Sequence, residues 1–286
     1  MQTIKNIFPL IYDFENLFNA YKKAVKCKRY RADVMEYTDR LEENLIELQN
    51  EFIWKTYSVG RYNIFYVYEP KKRMIMSLQF KDRVAQHAIY SILNPYFEKQ
   101  FISDSYACRV GKGTHRAIKK LQSWLRKTDR KPKRFYYLKL DISKYFYRVD
   151  HEVLMGILQR KIADKDLLHV LSVIINCEDT HFGLPLGADV GNKTCIRPTS
   201  MGIEFVGFRV WSTHIKLRKK TAKKMKKRLK YMFAAFHAGE IDRETLDRSI
   251  ASYRGILQHF NSYGLRQSLN EMYKKEVKTN GSSTDD

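Results

Sequence analysis

The chain has 286 residues, of which 44% are hydrophobic and 13% aromatic, and this content excludes a disordered protein and can bury a sizeable core. It carries 53 Lys and Arg against 31 Asp and Glu, which leaves a formal net charge of +22. So large a positive charge predicts a polyanionic partner, either nucleic acid or an anionic lipid surface.

Cysteine spacing and hydropathy argue against a zinc site, a signal peptide and a membrane-spanning helix. The four cysteines are scattered, without a C-x-x-C pair or a neighbouring His cluster, so they are predicted to be reduced thiols within the core and not zinc ligands. The N-terminal sequence has no cationic segment followed by a long apolar run, and no stretch reaches about 18 uncharged apolar residues. These features predict a soluble, cytoplasmic protein with no membrane partner.

The N-terminal half alternates between helical and strand patterns. Residues 13–55 are predicted to be mostly helical, because apolar residues recur three and four positions apart among charged ones. Aromatic and β-branched residues between Tyr57 and Leu78 predict a strand pair, interrupted by a basic turn at Lys71, Lys72 and Arg73. Residues 80–93 are helix-like again, and Pro95 is predicted to end that helix.

A strand, a short turn and a helix are predicted over residues 135–162. The segment FYYLKLDIS alternates, so that Tyr136, Leu138, Leu140 and Ile142 share one face and Asp141 lies on the more polar face near the strand end. Strand ends of this kind commonly hold catalytic groups.

The C-terminal half contains a strand and a highly basic helix. Residues 203–211 are predicted to form a strand that begins just after Gly202. Residues 216–230 contain ten Lys or Arg and no acid, and a helix here would place apolar residues on one face and a dense cationic field on the other. The field is interpreted as a nucleic-acid contact, with a merely solvated surface as the alternative. A further helix is predicted after Asp242, and residues 279–286 are predicted to be disordered.

Four stretches, taken in order, resemble reverse transcriptases, most closely those of diversity-generating retroelements and group II introns. They are RMIMSLQFKDRVAQHAI at 73–89, SYACRVGKGTHRAI at 105–118, YLKLDISKYFYRVDHEVL at 137–154 and NKTCIRPTSMGIEFVGFRV at 192–210. The resemblance implies an α+β right-hand polymerase fold with fingers, palm and a helical thumb. It divides the chain into an N-terminal helical extension (1–56), fingers and an interrupted palm (57–212), a basic thumb (213–278) and a tail (279–286).

The resemblance also implies the site for nucleotidyl transfer. This chemistry uses two Mg²⁺ ions that need converging oxygen ligands, and Asp141 with the main-chain carbonyl of Ile142 would be among them. Phe146 falls where the family places an aromatic gate beneath the incoming sugar, which would exclude a ribose 2′-hydroxyl. Arg73 and Lys72 resemble the cations that bind the triphosphate.

A second set of residues is implied to bind nucleic acid. Template RNA and its cDNA are the expected partners, together with a small basic accessory protein of the element. The loop before residue 115 combines small and basic residues that let a phosphate backbone approach closely. The predicted contacts are Arg109, Lys112, His115, Lys193, Lys219, Lys220, Lys223 and Lys227. Asp82 and Arg83 are predicted to form a structural ion pair.

The family's Tyr-x-Asp-Asp hairpin has no counterpart in this sequence. The chain's Asp-Asp pair is Asp285-Asp286, in a polar segment far from the palm pattern. The missing block would lie between about Gly187 and Asn192, and its loss would uncover apolar palm surface and leave too few ligands for two Mg²⁺ ions. Three functions follow: a reverse transcriptase with an internal deletion, a non-catalytic RNA- and DNA-binding protein that retains fingers and thumb, or an unrelated basic adaptor.

Overall fold

The computed structural model describes residues 4–68, 73–140, 142, 145, 148–177, 183 and 195–278. Its helices are α1 (Phe8–Tyr12), α2 (Phe14–Ala24), α3 (Ala32–Asp39), α4 (Leu41–Ile53), α5 (Phe80–Glu98), α6 (Gly113–Asp129), α7 (His151–Gln159), α8 (Lys165–Ile175), α9 (Lys219–His237), α10 (Arg243–Leu257) and α11 (Tyr263–Lys278). Its strands are β1 (Asn63–Val67), β2 (Arg73–Ser77), β3 (Tyr136–Lys139), β4 (Cys195–Pro198), β5 (Ile203–Phe205), β6 (Phe208–Val210) and β7 (Ile215–Leu217). The predicted mixture of helices and small sheets is confirmed.

The chain divides into two compact units, each built from two separate segments. The first unit comprises Met1–Ile102 and Leu140–Lys193, and the second comprises Ser103–Lys139 and Thr194–Asp286. Each has its own apolar core. The predicted core position of the cysteines is wrong, since Cys27 and Cys108 are exposed and Cys177 and Cys195 are half-buried. Within the described residues, no helix combines the length and the apolar content that a membrane crossing requires.

The core of the first unit forms where α2, α4 and α5 pack together. Leu17, Leu45, Phe52 and Val84 are completely buried there. Helix α2 begins after Asp13, whose carboxylate accepts hydrogen bonds from the N–H groups of the first helical turn. The apolar spacing that predicted helices within residues 13–55 is therefore confirmed, because that spacing gives each helix one face to bury.

Asp82 is a fully buried carboxylate at the start of α5. Its oxygens accept hydrogen bonds from the Tyr57 hydroxyl at 3.0 Å and the Gly60 N–H at 3.1 Å. Burial, and then the nearby Asp82 charge, raise the pKa of Tyr57 far above its ordinary value. Arg83 instead donates to the Leu78 carbonyl and the Ser77 hydroxyl. The predicted ion pair between Asp82 and Arg83 is wrong, because neighbouring residues of a helix point in different directions.

Helix α5 continues past Pro95 to Glu98, so the predicted helix end was also wrong. A proline inside a helix removes one backbone hydrogen bond and bends the chain. Phe97 and Ile92 pack against the core of the first unit, and this burial offsets the missing bond.

Asp164 connects the N-terminal helix α1 to α8 within the first unit. One carboxylate oxygen accepts from the N–H groups of Ile7 (2.9 Å) and Phe8 (3.0 Å), and the other accepts from Leu167 N–H (3.2 Å). The same side chain therefore caps two helices whose sequence positions are far apart.

We expect Asp164→Ala to lower the free energy of unfolding by about 2–3 kcal/mol, because three partly buried N–H groups lose their acceptor. Urea unfolding measures the loss. Asp166→Ala is the matched control, since Asp166 forms an exposed ion pair with Lys55 and should cost less than about 1 kcal/mol. Equal losses for the two variants would contradict the capping role.

Candidate nucleic-acid interface

Helix α9 separates its apolar and basic residues onto opposite faces. Met225, Leu229 and Phe233 are buried against the core of the second unit, to which α10 contributes Leu246 and Ile250. The solvent-facing side is cationic, with exposed residues Lys219, Lys220, Lys223, Lys224, Lys226, Lys227, Arg228 and Lys230. The predicted amphipathic helix is therefore confirmed.

The basic helix starts three residues later than the basic sequence run. Ile215–Leu217 forms strand β7 and pairs with β6, with Val210 opposite Ile215. Ile215 is buried at that position, and hydrogen bonds to β6 pair the backbone N–H and C=O groups of β7. The N–H of Arg218 donates to the Gly207 carbonyl at 3.0 Å, which continues the pairing up to the first turn of α9.

The three-stranded sheet β5-β6-β7 has one apolar face and one cationic and aromatic face. Phe208 and Val210 are buried on the first, whereas Glu204, Arg209 and Lys216 lie side by side across the second. The guanidinium of Arg209 lies 5.5 Å from the ring centre of Trp211, and the Lys216 ammonium lies 6.0 Å from it.

Two arginines of this region carry polar atoms that suit an anion. The Nε atoms of Arg209 and Arg218 are buried and have no hydrogen-bond partner within the described part of the chain. A buried N–H without an acceptor is costly, and a phosphate or carboxylate oxygen would relieve that cost. The single strand predicted over residues 203–211 is wrong, because Val206 and Gly207, both with positive φ, turn the chain between the antiparallel strands β5 and β6. The predicted nucleic-acid contacts did not include Arg209 and Arg218, although the alternation of residues 208–211 separates Arg209 from the apolar face.

The sheet of β3 and β4 exposes one apolar face. Tyr136, Leu138 and Ile196 lie on that face and are 61%, 57% and 68% exposed, respectively. Tyr137, on the other face, packs against the core of the second unit, and burial raises its pKa. Strand β3 ends at Lys139, opposite Cys195, whereas the alternating sequence pattern continues to Ser143.

The cations of the loop before α6 bind the loop itself. Arg109 donates to the Ser105 carbonyl at 3.1 Å, and Lys112 donates to the Ser103 carbonyl while its ammonium lies 5.3 Å from the Tyr106 ring centre. These contacts hold the loop closed before helix α6 begins. The role of Arg109 and Lys112 in binding a template stays a prediction.

His115 packs against other rings of the second unit. Its ring centre lies 4.2 Å from that of His259 and 6.3 Å from that of Phe208. Burial, followed by the charges of His259 and Lys119, lowers the pKa of His115. A neutral imidazole contributes no charge to a phosphate contact, so any contact with nucleic acid would use its ring or its N–H group.

Several residues of the predicted catalytic and nucleic-acid-binding sites lie outside the described residues. These are Lys72, Asp141, Phe146 and Lys193, together with the junction between about Gly187 and Asn192. The predicted hairpin is confirmed, with Arg73 at the start of β2 and opposite Val67 of β1. Ile142 is exposed. The grouping of these residues at one site stays a prediction.

No metal-binding group appears among the residues that the structure describes. Three or more His, Cys, Asp or Glu side chains do not converge anywhere within them. The predicted ligand Asp141 lies outside those residues.

Comparison with known proteins identifies relatives for part of the chain. Residues 68–194 match the family described as "Reverse transcriptase (RNA-dependent DNA polymerase)". A nuclear intron maturase of Arabidopsis thaliana mitochondria is 29% identical over 100 residues, which cover 35% of this chain and 13% of the relative. An uncharacterised mitochondrial protein of Marchantia polymorpha is 30% identical over 91 residues, or 32% of this chain and 12% of the relative.

A bacterial relative matches a similar length. Protein YkfC of Escherichia coli K12 is 29% identical over 111 residues, which cover 39% of this chain and 29% of the relative. The chain thus spans less than a third of the length of each of these relatives. The similarity therefore covers one segment of each relative, and the rest of each relative is not matched.

Proposed function

We propose that this chain, which belongs to the reverse transcriptase family, binds a template RNA and its cDNA along the basic face of α9, as part of RNA-templated DNA synthesis in a bacterial retroelement. The observation that carries the proposal is the row of exposed lysines and arginines on α9 in a chain of net charge +22. Fingers, an interrupted palm and a thumb with the bounds predicted from sequence belong to the same proposal. The proposal also includes a small basic accessory protein as a partner and a location in the cytoplasm.

The charge on α9 supports a nucleic-acid contact for a physical reason. Closely spaced like charges on one helix face repel each other, and a polyanion removes that repulsion. Each phosphate that a cation neutralises releases a counterion, so affinity falls steeply as salt rises. The buried Nε atoms of Arg209 and Arg218 would gain acceptors from the same phosphates.

The donor set does not suit two Mg²⁺ ions. Mg²⁺ requires several oxygen ligands in near-octahedral geometry, and the palm sequence offers Asp141 and the Ile142 carbonyl without the Tyr-x-Asp-Asp carboxylates. The exposed apolar face formed by Tyr136, Leu138 and Ile196 supports the loss of a covering palm segment. We therefore infer an internal deletion that impairs nucleotidyl transfer by this chain.

A second function is favoured by the same missing carboxylates. The chain would be a non-catalytic RNA- and DNA-binding protein that retains the fingers and the basic helices. Both functions require salt-dependent nucleic-acid binding, and only nucleotide incorporation distinguishes them.

Two measurements test the proposal on the full chain. Fluorescence anisotropy with an RNA–DNA hybrid should show log affinity falling linearly with log salt. Primer extension on an RNA template with Mg²⁺ and dNTPs should show little incorporation, which favours the non-catalytic function. Robust incorporation that Asp141→Ala abolishes would overturn the inferred defect. Salt-independent or undetectable binding would overturn both functions and favour an unrelated adaptor.

A further inference from the structure

Helix α4 has a second apolar surface on the side that faces away from the core. Leu45, Leu48 and Phe52 are buried, as expected for the inner face of an amphipathic helix. On the outer side, Ile46, Ile53 and Trp54 are 47%, 45% and 70% exposed. Exposed large apolar residues that lie together on one helix commonly mark an interaction site.

The charge around this surface is opposite to that of the chain as a whole. Residues 32–53 contain seven acidic residues and one basic residue, within a chain of net charge +22. Glu43 and Glu47 lie one helical turn apart on either side of Ile46. The pair of Glu43 with Arg40 is largely exposed, so water screens it strongly.

A shallow cavity of about 530 Å³ lies on the same side of α4. It is lined by Glu43, Ile46, Glu47, Asn50, Glu51, Trp54 and Thr56. The lining contains three carboxylates and no cation, although Lys81 reaches Glu51 from outside the cavity at 2.8 Å. The α4 face, defined here as Glu43, Ile46, Glu47, Ile53 and Trp54, therefore combines an apolar floor with acidic edges.

We propose that the α4 face docks a basic amphipathic helix of a partner protein. Apolar side chains of that helix would cover Ile46 and Trp54, while its Lys or Arg side chains would pair with Glu43 and Glu47. The aromatic ring of Trp54 is the type of residue that dominates binding energy at protein interfaces.

The acidic charge of the α4 face argues against nucleic acid or an anionic membrane as its partner. Nucleic acid and anionic lipid would both be repelled by the carboxylates of this surface. A second copy of this chain is also disfavoured, because its most basic segment, residues 219–230 of α9, buries its apolar residues Met225 and Leu229 and exposes lysines and arginines. The surface lies outside residues 68–194. The small basic accessory protein of the proposed function would be one such partner, but the inference rests on the charge and exposure of the α4 face, and its failure would leave nucleic-acid binding by α9 unaffected.

The test uses the full chain and a fluorescent amphipathic Lys/Leu helical peptide, with a Glu/Leu peptide of the same pattern as the probe control. We expect the Lys/Leu peptide to bind and the Glu/Leu peptide not to bind. The double variant Glu43→Lys/Glu47→Lys should weaken Lys/Leu binding by about tenfold or more. Glu240→Lys/Glu271→Lys is the matched control, with the same change in net charge at exposed positions of the other unit.

Fluorescence of Trp54 supplies a readout located at the surface itself. The peptide should change the intrinsic emission, and Trp54→Phe should remove that change while circular dichroism stays the same. Equal weakening by the two double reversals, emission changes that survive Trp54→Phe, or equal binding of both peptides would overturn the proposal. So would a concentration-dependent dimer, seen by sedimentation and lost in Glu43→Lys/Glu47→Lys, since a second copy would then occupy the surface.

Discussion

Binding of an RNA–DNA hybrid is expected to weaken on the order of a hundredfold at moderate salt when four exposed lysines of α9 are replaced by alanine together. The four are Lys219, Lys220, Lys223 and Lys227. Each lysine that contacts a phosphate contributes about one unit to the slope of log affinity against log salt, so the slope should fall by about three to four. Alanine has high helix propensity, and the buried face of α9 is untouched, so the helix should persist.

The control for this variant removes four exposed cations of the first unit instead. Lys22→Ala, Lys23→Ala, Lys26→Ala and Arg29→Ala change the net charge by the same amount. Anisotropy titrations across a salt series compare the two sets, and circular dichroism verifies the fold. Similar losses of affinity for both sets would mean that the overall field, and not α9, holds the nucleic acid.

Gly202→Ala is expected to lower the free energy of unfolding by about 3 kcal/mol, which is large for the addition of one methyl group. Gly202 has φ of +72°, where an L side chain is strained. A Cβ atom at this position would lie 2.4 Å from a ring carbon of Trp211, well inside van der Waals contact. The Trp211 ring also stacks on the His214 ring, with 4.4 Å between the ring centres, so it has little room to move away.

Gly239→Ala separates the two causes of this loss. Gly239 has φ of +73° but no heavy atom within 4 Å of an added Cβ, so it should suffer only the backbone strain, about 1 kcal/mol. Urea unfolding of both variants measures the difference. If Gly202→Ala costs no more than Gly239→Ala, the close approach to Trp211 has no energetic weight. If the added methyl group displaces the Trp211 ring, Arg209 should move as well, because its guanidinium lies beside that ring.

Local periodicity was enough to predict much of the secondary structure. The helices within residues 13–55, the hairpin of β1 and β2 and the two-faced helix α9 all follow from spacing along the chain. The predicted end at Pro95 failed because burial of Phe97, a contact with the rest of the core, outweighs one missing hydrogen bond. The single strand predicted over residues 203–211 failed because Val206 and Gly207 turn the chain, so that β6 pairs with β5.

The candidate interface shows the same division between local and distant causes. Sequence alone determined the charge, the basic face of α9 and the family resemblance, because each depends on residue types and their spacing. Only the tertiary structure decided that Lys112 and Arg109 bind carbonyls of their own loop, that Arg209 lies beside Trp211, and that the outer face of α4 is exposed. These features depend on how the backbone closes and on which surfaces other elements cover, and no local pattern of residues specifies either.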